Sequence, residues 1–306
     1  MSLEQLIVGT FNQAFKKYYY DELVVGKLAH SEFKSGVKAG DEVDVIMPGT
    51  VQMFEYDGKG DLPDAEKVTN SVVKVRIDRG RAFHFELEDM QKKQIENCPD
   101  LKQKVNLVKE YSSDAIKQFA ATVDQAYANL YTRAGYYLHN GTKEAPTAIE
   151  ASKSNVKDVL SYMQTMFKRG DGEGHNSWVD GQMLAIVPPE FQFFLSGMQE
   201  LEYVESGHRK MEKGYVGTLA GWDILISNNI KGIKLEDGTT NYFPLFGVKG
   251  KTLAGGVSDN LNTKSYMPER NFNMRYKGYG LYGVGAPRAD LFGTAMVSTK
   301  KMQIGE

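Results

Sequence analysis

From Asp100 to Ala134 the chain contains neither glycine nor proline, and apolar residues recur at Val105, Val108, Ile116, Phe119, Val123, Ala126, Leu130 and Ala134. Helical spacing kept up without a breaker predicts one long helix. At about 1.5 Å per residue it runs roughly 45 to 50 Å before Gly135 ends it, well beyond the usual three or four turns of a globular helix. A rod of that length spans a whole subunit, and the rest of the chain must pack along it.

Upstream the texture is different. Ser2 to Tyr20 places Leu3, Leu6, Ile7, Phe11 and Phe15 on one helical face, an amphipathic arm suited to docking on a neighbour. From Asp41 the pattern alternates, with Val43, Val45 and Met47 set against Glu42 and Asp44; Pro48 and Gly49 mark a turn before Val51 to Tyr56. The stretch DGKGDLPD, Asp57 to Asp64, is a polar tip with nothing to bury. The chain then returns through Val73, Val75 and Ile77. A long two-stranded arm is expected. Arg79, Gly80 and Arg81 read as a turn, and Phe83, Phe85 and Leu87 against His84, Glu86 and Glu88 as a strand with one buried face.

Beyond Pro146 a second helix is expected from Ala148 to Phe167, then a glycine-rich polar loop from Arg169 to Asn176. The apolar run Met183 to Val187 reads as a buried strand. Pro188 and Pro189 introduce a short helix carrying Phe191, Phe194 and Leu195, and Trp222, Ile224 and Ile226 form a further strand. Strand-like runs at Phe272 to Tyr276 and Ala295 to Lys300 close the chain. The fold class is α+β.

Composition narrows the function. The 306 residues suffice for one large domain or two ordinary ones, and 41% hydrophobic with 25% charged residues is a globular balance. Thirty-seven basic against 39 acidic residues leave a net charge of -2, without the signature of a dedicated nucleic-acid binder. The start MSLEQLIVGTF lacks the basic and apolar regions of a secretory signal, and no stretch approaches the roughly 20 apolar residues of a membrane span. Cys98 is the single cysteine, so no intrachain disulfide can form.

Two motifs imitate nucleotide sites. Gly278, Gly280 and Gly283 have dinucleotide spacing, but Val284, Gly285, Ala286 and Pro287 follow where a helix must start. Gly250, Lys251 and Thr252 resemble the end of a phosphate loop whose first glycine would fall at Leu245. A glycine-rich strand and a basic loop are the better readings. His30, His84, His139, His175 and His208 stand singly, and Asp171, Glu173 and His175 in GDGEGH form too short a ligand series for an EF-hand. Cys98, beside Pro99, has no evident base, and there is no G-x-S-x-G elbow. No catalytic, cofactor or metal residue is assigned.

Several stretches resemble the tailed-bacteriophage major capsid proteins of the Hong Kong 97 type. VVKVRIDRGRAFHFELEDMQKKQ resembles the segment where that family's extended loop rejoins the body. WVDGQMLAIVPPEFQFFL resembles its axial-domain run of tryptophan, Asp-Gly turn, buried strand and paired prolines. GYVGTLAGWDILISNNI and YKGYGLYGVGAPRADLF are similar to its turn-and-strand stretch and its closing strands. Together they run, in family order, from about Gly36 to the carboxyl end.

The resemblance implies an amino-terminal arm (1–35), an extended loop (36–72), a peripheral domain with a long spine helix (73–143), an axial domain (144–241) and return strands of the peripheral domain (242–306). It implies a non-enzymatic coat protein forming pentamers and hexamers of itself around phage double-stranded DNA, assembled in the host cytoplasm and resident in the virion. DNA contact would be weak and non-specific. A separate scaffolding protein, a portal protein and a decoration protein are the expected partners, with no membrane. Phe11, Phe15, Asp41, Lys59 and Asp61 are the inter-subunit contact candidates, chosen by position. Two alternatives stand beside this reading: an encapsulin-like compartment shell, and a soluble hydrolase or cation-binding enzyme using the GDGEGH loop.

Overall fold

The computed structural model describes residues 22–30, 42–47, 67, 71–87, 101–169, 181–196, 198, 214–257, 262–268 and 273–300. In the long helix, side chains are described from Asp114 onward. The elements are β1 (Glu42–Met47), β2 (Ser71–Arg76), β3 (Arg79–Leu87), α1 (Leu101–Ala128), β4 (Tyr136–Leu138), β5 (Asn140–Gly141), β6 (Pro146–Thr147), β7 (Ile149–Glu150), α2 (Lys153–Arg169), β8 (Met183–Val187) and α3 (Phe191–Leu195). They continue as β9 (Tyr215–Leu219), β10 (Trp222–Ile226), β11 (Gly232–Lys234), β12 (Thr239–Tyr242), β13 (Leu245–Val248), β14 (Ala254–Val257), β15 (Asn262–Tyr266), β16 (Met274–Gly285), β17 (Phe292–Ala295) and β18 (Val297–Lys300).

A six-stranded mixed sheet, ordered β4-β17-β13-β8-β10-β9, lies between the two longer helices. All five residues of β8 are buried, as its unbroken apolar run requires. Their alternation divides them between two cores. Leu184 and Ile186 join Ile116, Phe119, Val123 and Tyr127 of α1, whereas Met183, Ala185 and Val187 join Val156, Leu160, Met163 and Phe167 of α2. The α2 core centres on Trp222, fully buried, with its indole N–H donating to the Leu160 carbonyl at 2.9 Å and its ring edge-on to Phe167 and Phe246. Beside this layer, β11-β12-β18-β7 form a smaller sheet. A third sheet is built on β16, which pairs with β3 along one edge and with β15 and then β14 along the other.

Three expectations need correction. The long helix is α-helical only to Ala128, about 42 Å, and tightens to a 3-10 turn over Asn129–Arg133. Such tightening is common at a helix C-terminus, and here Tyr131 of that turn stacks on Phe243 with ring centroids 4.3 Å apart. Gly135 ends the run through close approach: its N–H donates to the carbonyls of Ala289 and Phe292, and a Cβ would overlap the Ala289 oxygen. The second helix begins at Lys153, because Ser152 caps it, the Ser152 hydroxyl accepting the Asn155 N–H at 3.1 Å. Ala148 to Ala151 instead runs beside β18. Lastly, Arg79, Gly80 and Arg81 open strand β3, opposite Tyr282, Leu281 and Gly280, and are not a turn.

The motif of Gly278, Gly280 and Gly283 lies inside β16, with no helix after it. Gly283 is required by packing, since a Cβ there would strike the backbone carbonyl of Arg76 where the β1–β2 ribbon crosses the sheet. Among the described residues no helix is long and apolar enough to cross a membrane.

Candidate assembly surfaces

The described part of the β1–β2 ribbon meets the body through one small apolar cluster. Its antiparallel register sets Val45 opposite Val73 and Glu42 opposite Arg76. Val45, Val75 and Ile77 pack on Ala254 of β14 and on Leu281 of β16. Val72, farther from that cluster, is half exposed. Glu42 ties the two strands together through Lys74 at 3.0 Å and Arg76 at 2.7 Å.

Those hydrogen bonds, Lys74's first and then Arg76's, hold the Glu42 carboxyl below the ordinary glutamate range. Its contribution is therefore whole at neutral pH. It begins to fall as the pH drops beneath the unfolded glutamate value, and it is gone once the pH passes below the lowered folded one. An NMR titration of the Glu42 side chain should find a midpoint below that of a free glutamate, and Lys74→Met should move it back up.

A second feature anchors the segment that leads from the amino-terminal residues towards the ribbon. Leu23 to Ala29 passes through a short 3-10 turn, Val25–Leu28, buried against α1. Asp124 of α1, almost fully buried, accepts three successive backbone N–H groups: Val24 at 2.9 Å, Val25 at 3.1 Å and Gly26 at 3.0 Å. Asn229 adds its side-chain amide at 3.4 Å. Burial pushes the Asp124 carboxyl above the ordinary aspartate range, while the backbone N–H groups and Asn229 pull the other way. Beyond the turn, backbone bonds join Lys27, Leu28 and His30 to the 250–253 loop. Gly250, Lys251 and Thr252 thus form a turn that receives this strap, with the Thr252 hydroxyl buried in it. Asp124 escaped the sequence reading, although the signal was there: a carboxylate in line with Ile116, Ala120, Val123 and Tyr127 on the apolar stripe.

The third feature is the solvent face of β3, β16 and β15. Registers align His84 with Lys277 and Lys264, and Glu86 with Arg275 and Tyr266. Lys277 lies over the Tyr266 ring at 5.0 Å, His84 Nε2 meets the Tyr266 hydroxyl at 3.1 Å, and Arg275 pairs with Glu86. Tyr279 is 46% exposed on the same face. The opposite face carries Phe85 stacked on Tyr276, and Tyr282 edge-on to Phe119 of α1.

Phe11, Phe15, Asp41, Lys59 and Asp61 all lie outside the described residues, as do Cys98, His175, His208 and the GDGEGH loop. Among the described residues, no three of histidine, cysteine, aspartate and glutamate come close enough to hold a metal. His139 lies beside the Asn140 carbonyl, its Nδ1 2.9 Å away.

No known family's sequence pattern matches the chain, and no curated protein matches it in sequence. Solved structures do match. The capsid of Ralstonia phage GP4 superimposes with a TM-score of 0.64, covering 94% of this chain and 92% of that one at 14% identity. The procapsid of satellite phage P4, a structure that includes its size determination protein, gives 0.56 over 93% and 90% at 9% identity. A virus-like particle from Pyrococcus furiosus gives 0.50 over 96% and 100%, also at 9%. The chain shares its architecture with these particle proteins along nearly its whole length. The chain has the Hong Kong 97-type capsid fold.

Proposed function

We propose that the protein is a major capsid protein, a structural and non-catalytic subunit that assembles with copies of itself into pentamers and hexamers, and so into an icosahedral head enclosing phage double-stranded DNA. The observation that carries this reading is the fold, which matches capsid subunits over nearly the whole chain and includes a two-stranded ribbon, β1–β2, seated on a small apolar base. An isolated two-stranded ribbon is marginal in water, so its outer part needs cover from another molecule.

In this reading α1 is the spine helix of a peripheral domain (73–143), an axial domain spans 144–241, and 242–306 returns to the periphery. Residues 1–35 form the arm and 36–72 the extended loop. Phe11, Phe15, Asp41, Lys59 and Asp61 lie at contacts between subunits. A scaffolding protein directs closure, a portal and a decoration protein complete the head, and assembly takes place in the host cytoplasm.

Electron microscopy of the purified protein, with and without a candidate scaffolding protein, tests the proposal. Closed shells or capsomer rings are expected, and a subunit that stays solitary under every condition overturns it. Deleting residues 57–64 should leave a folded, soluble subunit with at least a tenfold lower yield of particles; normal particles would remove the loop from its role.

A further inference from the structure

The β11–β12 hairpin stands at the open side of the smaller sheet, whose order is β11-β12-β18-β7. Residues 231–238 are all exposed, and the large apolar ones among them are Ile233 at 41% and Leu235 at 44%. Two positions apart on a strand, these side chains share one face. The turn that closes the hairpin is well fixed. Gly238 takes a left-handed φ of 81°, and Asp237 accepts both the N–H and the hydroxyl of Thr239, at 2.9 and 2.6 Å.

Pairing with β12 decides which backbone groups are left over. The Lys231 carbonyl accepts from the Phe243 N–H, the Leu235 N–H donates to the Thr239 carbonyl, and Ile233 lies opposite Asn241. Alternate residues of an antiparallel ladder turn their N–H and C=O groups the same way. Lys231, Ile233 and Leu235 therefore bond to β12, while Gly232 and Lys234 direct theirs to the open edge. Among the described strands none pairs with that edge. Free backbone groups beside exposed apolar side chains make β11 a template for an added strand.

The edge is complementary to itself. Lys231 stands at one end of it, Glu236 and Asp237 at the other. A second copy laid antiparallel brings each Lys231 to the acidic end of the other copy, whereas a parallel copy sets like charges together. Two antiparallel registers use the outward groups. Centring on Lys234 places two lysines directly opposite each other, which is unfavourable. Centring on Ile233 places Lys234 opposite Gly232, which has no side chain, and gathers both copies' Ile233 and Leu235 into one apolar patch.

We propose that β11 pairs antiparallel with β11 of a second copy about a two-fold axis through Ile233, joining two four-stranded sheets into one. This deepens the shell-subunit reading and rests on it: the contact is isologous, a link between subunits related by two-fold symmetry. Gly232 of each copy exchanges both backbone hydrogen bonds with Lys234 of the other, and the two Ile233 residues form a non-hydrogen-bonded pair.

The test uses the full-length chain. In such a pair the Cα atoms are about 4.5 Å apart, within reach of a disulfide. Cys98 is the only native cysteine, so Ile233→Cys in a Cys98→Ser background should give a disulfide-linked dimer when assembled particles are mildly oxidised and run on a non-reducing gel. Leu235→Cys in the same background should not, because its opposite residue is Lys231. Lys234→Pro removes only an outward N–H, which an edge strand tolerates, and circular dichroism checks its fold. Losing that donor twice in every contact should lower particle yield roughly tenfold. Lys234→Gln keeps the N–H and should assemble like the unaltered protein.

Particles in which Ile233→Cys yields no dimer overturn the contact, as does dimer from Leu235→Cys in its place. Normal assembly by a folded Lys234→Pro variant also overturns it. Loss of assembly with Lys234→Pro, but no dimer from Ile233→Cys, gives the edge to a different protein and likewise overturns the pairing of two copies. Unaltered protein that never assembles instead sinks the shell-subunit reading itself, so the two failures are distinguishable.

Discussion

Trp222→Ala should destabilise the subunit by about 3–5 kcal/mol, the range for emptying a well-packed aromatic site. The indole is fully buried, touches Phe167 and Phe246 edge-on, and satisfies the Leu160 carbonyl of α2. Alanine leaves a cavity between helix and sheet. Trp222→Phe keeps most of the volume and loses the N–H, so its cost should be smaller, by about 1–2 kcal/mol for the hydrogen bond plus residual packing. Urea denaturation of unassembled subunits measures both, at a protein concentration low enough that association adds nothing to apparent stability. An alanine variant within 1 kcal/mol of the parent would mean that the α2 core closes over the gap, contrary to the packing described.

The second large effect is expected at Asp124. Replacing it with alanine strips the acceptor from the N–H groups of Val24, Val25 and Gly26, all in buried surroundings. An unsatisfied buried donor costs about 1–3 kcal/mol, so the loss should be on the order of 3 kcal/mol or more. Asp124→Asn retains one acceptor oxygen and should lose less. Hydrogen exchange gives the sharper readout: the three amides should lose protection in the alanine variant, while those of β8 change only by the drop in global stability. Unchanged protection at Val24 to Gly26 would show that the strap is held by its apolar side chains and the 250–253 loop alone.

Much of the architecture is readable in the residues. The breaker-free run of α1, the five apolar residues of β8 and the paired prolines before α3 each predict their element because the local pattern admits one solution. The start of α2 was also legible, in Ser152, but was masked by the apolar residues just upstream, which pack as strand β7 against β18. Arg79 to Arg81 has turn-like composition, yet pairing with β16 holds it extended. Tertiary context overrode local preference there.

Sequence by itself determined where the long helix α1 and the strand β8 run and that β8 is covered on both faces, because side-chain period and backbone propensity are local properties. Only the tertiary structure decided the sheet order, which interleaves β4, β8, β10, β13 and β17 from distant parts of the chain, and the pairing of Asp124 with N–H groups about a hundred residues away. It also decided which end of β16 the ribbon covers. Those contacts depend on which surfaces meet when burial is maximised over the whole chain, and a pattern of neighbouring residues does not encode them individually.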